Sequence, residues 1–290
     1  MANKRHHGDR FPPLLGYKPA RQLGVEALSK RAVVKFSSMV TKEPQAVSVT
    51  YHPMHPSGAN MWDMKPNLPL AVQLAKRDVP ALVYDAVNLE GVAMTLPEVQ
   101  TILDGITVGG HRISDQNMAI NQAKAWAFIF DLVEQGEFTF DKKTALSIHE
   151  IAGKEEALEW GKFRSGYVTI AGSEYEPPAP DELDATWREV EQQVYGETDV
   201  YDQGITAFLQ MARAQFFWDV NKRTGRFMMN GILLANGFPV INVQAKRQQE
   251  FNTLMLDFYS SNDMRAMNTF LRSCLDEKIT RNFTLGLNMG

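Results

Sequence analysis

The densest chemistry in the chain lies at residues 215–226, QFFWDVNKRTGR. Lys222, Arg223 and Arg226 put three cations within five positions, and Arg223 and Arg226, three apart, share one face of any helix that contains them. Asp219 offers the hard carboxylate oxygen that Mg²⁺ takes between phosphates. Asn221 tolerates the left-handed backbone that a phosphate-binding nest requires. The segment sits between two helical patterns, so a short loop here feeds the first turn of a helix. That turn presents unpaired N–H groups and partial positive charge, a ready site for phosphate. Cations at a helix start oppose its dipole, and an anion bound there accounts for the placement. The plainer alternative is a capped helix with a solvated basic first turn.

The elements that hold this segment are helical. Ala119, Ala123, Trp126, Phe130 and Val133 recur at steps of four and three, with Ser114 as the N-cap and Gly136 as the stop. Leu183, Trp187, Val190 and Val194 repeat the pattern, as do Ile205, Phe208, Ala212 and Phe216. A helix is predicted from about Arg223 to Asn236, closed by Gly237 and Pro239, and two more over residues 245–259 and 264–278. One stretch, residues 163–175, alternates like a strand and turns at Ala171-Gly172-Ser173 before Pro177, Pro178 and Pro180 end it. Residues 1–65 are punctuated by Pro12, Pro13, Pro19, Pro44, Pro53 and Pro56 and read as an irregular arm wrapping the helical body. His52 and His55 have no acidic partners nearby and do not make a metal site. His149 reads as a core histidine and His111, in a GGHR turn, as a loop residue.

The 290 residues carry a net charge of −4, with 44% hydrophobic and 22% charged residues, which excludes a disordered or collagen-like chain. The single cysteine, Cys274, excludes a disulfide framework. No apolar run approaches the roughly 18 residues of a membrane span, and the first residues lack the apolar core of a signal peptide. A cytoplasmic protein with no membrane partner is expected. Charge is uneven: residues 1–42 hold nine Lys/Arg against Asp9 and Glu26, and residues 173–202 hold ten acidic residues against Arg188. The acidic stretch argues against a nucleic-acid partner.

Residues 215–226 resemble the signature of the Fic (filamentation induced by cAMP) family, HxFx(D/E)GN(G/K)RxxR, with Phe217, Asp219, Asn221, Lys222, Arg223 and Arg226 in register. Residues 161–178 resemble the β-hairpin flap that precedes this motif and docks the target, with Val168, Thr169 and Ile170 at its centre. NLEG, ending in Glu90 and Gly91, resembles the family's inhibitory helix, (S/T)xxxEG. The resemblance covers about residues 80–275. It implies an all-α bundle with one small β-hairpin, divided into the arm (1–65), a helical region with the inhibitory helix (66–136) and a Fic core (137–280). The implied activity is transfer of AMP from ATP to a Ser, Thr or Tyr hydroxyl of a target protein. The implied roles follow: Asp219 holds Mg²⁺, the backbone of residues 220–224 cradles the α- and β-phosphates through Asn221, Lys222, Arg223 and Thr224, and Gly225 leads to Arg226, which takes the γ-phosphate. Glu90 would pair with Arg226 and compete for that position.

Three positions depart from the pattern. Gln215 stands where the family has the histidine that accepts the target's proton; an amide cannot do so, and general-base catalysis is worth about 10²–10⁴-fold. Val220 replaces a glycine, and a β-branched residue there predicts a different loop path. Ala86 replaces the Ser/Thr four residues before Glu90. The readings that remain are an impaired adenylyltransferase, a catalytically silent nucleotide-binding regulator, a phosphotransferase of the Doc type, which also carries an NKR motif, and a helical interaction protein with an incidental basic helix start. A homo-oligomer stays open.

Overall fold

A computed structural model describes residues 64–284. Its first helix starts where the sequence supplies the means: the Asn67 side chain accepts the Leu70 N–H at 3.1 Å, and Pro69 occupies the first turn, where its missing donor costs nothing. This helix, α1 (Leu68–Leu89), ends with Glu90 as C-cap and Gly91 in the left-handed region at φ 83°. A capping box between Thr95 and Glu98 opens α2 (Leu96–Leu103). α3 (Ile113–Glu134) follows, then α4 (Lys142–Ala152), whose first turn is capped by Asp141, and α5 (Leu183–Gly196). The centre is the pair α6 (Val200–Ala214) and α7 (Asn221–Ala235), joined by the motif loop. α8 (Gln248–Ser261), α9 (Arg265–Arg272) and α10 (Glu277–Thr284) complete the described residues.

α5 packs on α6, while α3 and α4 pack on α7; α1 lies against α3, and α9 reaches back to α6. Gly225 makes the central pair possible, because a Cβ there would stand 3.0 Å from the Phe208 carbonyl oxygen. The apolar faces expected from periodicity point inward: Trp126, Phe130, Trp187, Val190, Phe208 and Phe216 are all buried. Phe163, Phe216 and Trp187 form an aromatic cluster, with Phe163 and Phe216 stacked at 4.8 Å between centroids. Each fully buried phenylalanine contributes about 1.5–3 kcal/mol.

The structure corrects several expectations. Ser114 does not cap α3; Arg112 stands at the N-cap and makes no side-chain cap bond. The helical pattern over 264–278 breaks into α9 and α10, and Asp276 restarts the chain by accepting the Lys278 N–H at 2.7 Å. The hairpin expected at residues 163–175 forms no strand ladder among the described residues. The turn does form, with the Ser173 N–H on the Ile170 carbonyl at 3.1 Å. The segment is held by a side chain instead: buried Arg164 donates to the carbonyls of Gly166, Pro178 and Gln215, each at 2.6 Å. These bonds pin both ends of the segment and replace cross-strand pairing as its scaffold. The expected arm and the His52/His55 pair lie outside the described residues, apart from Met64 and Lys65.

Candidate functional site

The motif loop begins where α6 stops. Gln215 takes a left-handed conformation (φ 49°, ψ 56°), ending the helix, and its amide folds back on the protein. Its Nε2 donates to the Ala212 carbonyl at 2.6 Å, and its Oε1 accepts from Asn221 Nδ2 at 3.1 Å. Asn221 closes the loop as a clamp: its Oδ1 accepts the Phe217 N–H at 2.9 Å and its Nδ2 donates to the Phe217 carbonyl at 2.8 Å. Phe217, fully buried, anchors the loop by stacking on His149 with ring centroids 3.7 Å apart.

Val220 holds the positive-φ backbone that its branched side chain disfavours. It sits at φ 62°, ψ 15°, the left-handed region, which costs a non-glycine residue of order 1–2 kcal/mol. Local bonds offset that strain. The Val220 N–H reaches Asp219 Oδ1 at 2.6 Å, its carbonyl accepts both the N–H and the hydroxyl of Thr224 at 2.9 Å, and its side chain is buried. α7 therefore starts at Asn221 with no side-chain cap, and the N–H groups of Asn221, Lys222 and Arg223 have no partner among the described residues.

Glu90 comes to this helix start from the end of α1. Its Oε1 lies 3.2 Å from Arg226 and 3.8 Å from Arg223 Nε, and its Oε2 lies 3.7 Å from Lys222 Nζ. Burial pushes the Glu90 carboxyl up, but Arg223, Arg226 and Lys222 outweigh it and hold the group below its ordinary range. Burial pulls the Arg226 guanidinium down; Glu90 opposes this and Arg223 adds to it. A guanidinium stays charged in proteins, so the pair is ionic. The end of α1 is fixed from outside as well. Gln248 Nε2 donates to the Asn88 and Leu89 carbonyls, and Asp85 accepts from Asn242 Nδ2 at 2.6 Å and the Ala245 N–H at 2.8 Å.

A cavity of about 580 Å³ opens over the helix start, within the range of small-molecule sites. Glu90, Gln215, Asp219, Asn221, Lys222 and Arg223 line it, with Thr169 and Ile170 from the pinned segment and Asn252, Met255, Leu256 and Tyr259 from α8. Thr224, Gly225, Arg226 and Val168 do not line it; Arg226 faces a separate, smaller void of about 30 Å³, lined also by Leu82, Ala86 and Leu89 of α1. Asp219 is exposed, its Oδ2 has no hydrogen-bond partner among the described residues, and no further acidic or His/Cys cluster of metal-binding size surrounds it there. One free carboxylate beside a helix start with open N–H groups is a donor set that fits Mg²⁺, which keeps waters and shares oxygens with a bound anion.

Three supports, Glu156, Arg164 and Trp218, escaped sequence reading, and a fourth, His149, is the core histidine the sequence suggested. Glu156, from the loop after α4, makes a bidentate pair with Arg223, with Oε2 2.8 Å from Nη1 and Oε1 on Nη2. Arg164 carries the flap-like segment. His149, fully buried, accepts the Gly161 N–H at Nδ1 (3.1 Å), so its Nε2 carries the proton donated to the Asp219 carbonyl (3.2 Å). Burial, with the charge of Arg223 adding to it, lowers its pKa to about 4 against the pull of Asp219. Trp218 packs so tightly on Gly166 that a Cβ there would meet the indole at 2.4 Å, and its N–H reaches Glu159 at 3.1 Å.

Residues 139–233 match the model of the Fic/DOC family. Among curated proteins, the protein adenylyltransferase Fic of Drosophila grimshawi is 27% identical over 205 residues, 68% of this chain and 41% of that one. That of Drosophila ananassae is 26% identical over 204 residues, 68% and 40% of the two chains. The match thus spans about two fifths of these relatives' length. Among solved structures, Fic-1 (from C. elegans) superposes with a TM-score of 0.61 at 20% identity, covering 75% of this chain and 65% of the other. A Fic domain containing signaling protein from Bacteroides thetaiotaomicron gives 0.63 at 16%, covering 80% and 96%. At these identities the likeness establishes the fold.

Proposed function

We propose, from the premise that this chain belongs to the Fic/DOC family through residues 139–233, that it binds ATP with Mg²⁺ over the start of α7 and transfers AMP to a Ser, Thr or Tyr hydroxyl of a target protein, weakly. One observation carries the reading: three open N–H groups, the free Asp219 carboxylate, Lys222 and Arg223 converge on a single cavity of nucleotide size. Phosphoryl chemistry asks the protein mainly for positioning and charge neutralisation, which is what these groups supply. Asp219 would hold Mg²⁺, which neutralises phosphate charge when bound. The first-turn N–H groups orient the phosphates, and Arg226 becomes available to the outer phosphate once Glu90 leaves it. Thr169, Ile170 and Val168 would align a target segment through main-chain bonds at an edge that has no ladder of its own. The cytoplasm, where ATP and Mg²⁺ are supplied, is the expected location, and a homo-oligomer is compatible with this reading.

The weakness comes from Gln215. Its amide takes no proton at neutral pH, and both its ends are already bonded within the protein. That second fact favours one alternative, a silent nucleotide-binding regulator. Incubation with labelled ATP and Mg²⁺ against cell lysate, comparing the native chain with Gln215→His, separates the two. Label on a target in the histidine variant supports a transferase that lacks its base. Nucleotide binding without label in either protein supports the regulator.

A further inference from the structure

Both motif arginines are already occupied. Arg226 is held by Glu90, and the two terminal nitrogens of Arg223 are taken by the two oxygens of Glu156. Arg223 is 3% exposed, and its remaining donor, Nε, is buried with no hydrogen-bond partner, 3.8 Å from Glu90 Oε1. Burial pulls this guanidinium down, yet the bonds to Glu156 and the charges of Glu90, Glu156 and Asp219 leave it raised. What stays open to a ligand is the trio of N–H groups at residues 221–223 and the Lys222 ammonium, already 3.7 Å from Glu90. Those N–H groups and the Lys222 ammonium form a ready anion site. A phosphate beyond their reach has to draw an arginine away from a carboxylate.

We infer that Glu156 is a specificity-determining residue: by occupying Arg223 it sets how many phosphates of a nucleotide the site accepts. The inference rests on the nucleotide reading above and deepens it. With Glu156 and Glu90 in place the site favours a nucleoside monophosphate. Longer phosphate chains bind only as these carboxylates are displaced, one arginine at a time. The two act from different elements, Glu90 from the end of α1 and Glu156 from the loop after α4, so releasing one leaves the other engaged. Bidentate Arg–carboxylate pairing is among the stronger charge-assisted contacts, strong enough to compete with a phosphate oxygen for the same nitrogens.

Calorimetry on the full chain with AMP, ADP and ATP, Mg²⁺ present, tests this. The native chain is expected to bind AMP at least as tightly as ATP, and Glu156→Gln to tighten ATP by about tenfold while AMP stays within about threefold. Glu156→Asp, too short to span both nitrogens, should give an intermediate gain, and thermal melting verifies that each variant is folded. ATP binding unchanged or weakened in the folded variants would overturn the inference and make Glu156 a support that presents Arg223 to phosphate. A native chain that already prefers ATP would overturn it as well. Absence of heat with any nucleotide in the native chain, Glu156→Gln and Glu90→Gly alike is a separate result, which removes the nucleotide reading beneath.

Discussion

At the scale of single residues, the proposed transferase reading implies two deficits that can be restored independently. Gln215→His returns a proton acceptor, whose usual worth is about 10²–10⁴-fold, but leaves Glu90 on Arg226. Glu90→Gly frees Arg226 and should strengthen ATP binding with little transfer. Assayed with radiolabelled ATP, the two changes together should exceed the product of their separate effects, because they act on one reacting geometry. Native activity equal to the double variant would refute the idea that Gln215 disables the chain. Val220 is a different case. Val220→Gly relieves about 1–2 kcal/mol of left-handed strain. It also gives up a buried side chain and adds unfolded-state entropy of comparable size. Chemical denaturation should therefore find the variant within about 1 kcal/mol of native. The sequence made Asp219, Asn221, Arg223 and Arg226 legible because their spacing is itself the signal. It hid Glu156, since in KEEALE nothing distinguishes a carboxylate that pairs with a buried arginine from one that faces water. It gave no sign of how Val220 is held, because the bonds with Asp219 and Thr224 exist only once the loop is closed.

At the scale of elements, helices with strong apolar spacing were readable, and their ends less so. α5 and α6 match their stripes, whereas the break between α9 and α10 rests on one aspartate cap that an apolar count does not register. The flap-like segment shows the opposite failure. Its alternation was real, but Arg164 pins its carbonyls and substitutes for a ladder, and a single buried arginine leaves no periodic mark. His149 joins that segment to the motif loop and carries a pH consequence. Its folded pKa, about 4, lies below its ordinary 6.5, so the unfolded chain binds the extra proton first. Its contribution is complete above pH about 6.5 and is lost progressively as pH falls toward about 4, amounting to about 3 kcal/mol over that window. In urea titrations across this range, the native chain should lose more stability on acidification than His149→Gln. Parallel curves would show that the ring is not neutral in the fold.

At the scale of the whole molecule, the cavity joins parts far apart in sequence: the end of α1, the pinned segment, the start of α7 and the face of α8. A ligand that bridges them stabilises the folded state by linkage, by about 2.7 kcal/mol at a concentration one hundred times its Kd. AMP should accordingly raise the melting temperature by several degrees in scanning calorimetry, and ATP should do so more strongly in Glu90→Gly than in the native chain. Equal shifts from inorganic phosphate alone would mean that α8 contributes nothing to recognition. The packing of Trp218 on Gly166 has an optical consequence. The indole lines the cavity, while Trp126 and Trp187 are sealed in the core. Its emission depends on the polarity and charge a few ångströms away, so the chain carries its own fluorophore at the mouth of the site. Titration with AMP should quench or shift the tryptophan spectrum in a saturable way, and Trp218→Phe should abolish that response while calorimetric binding persists.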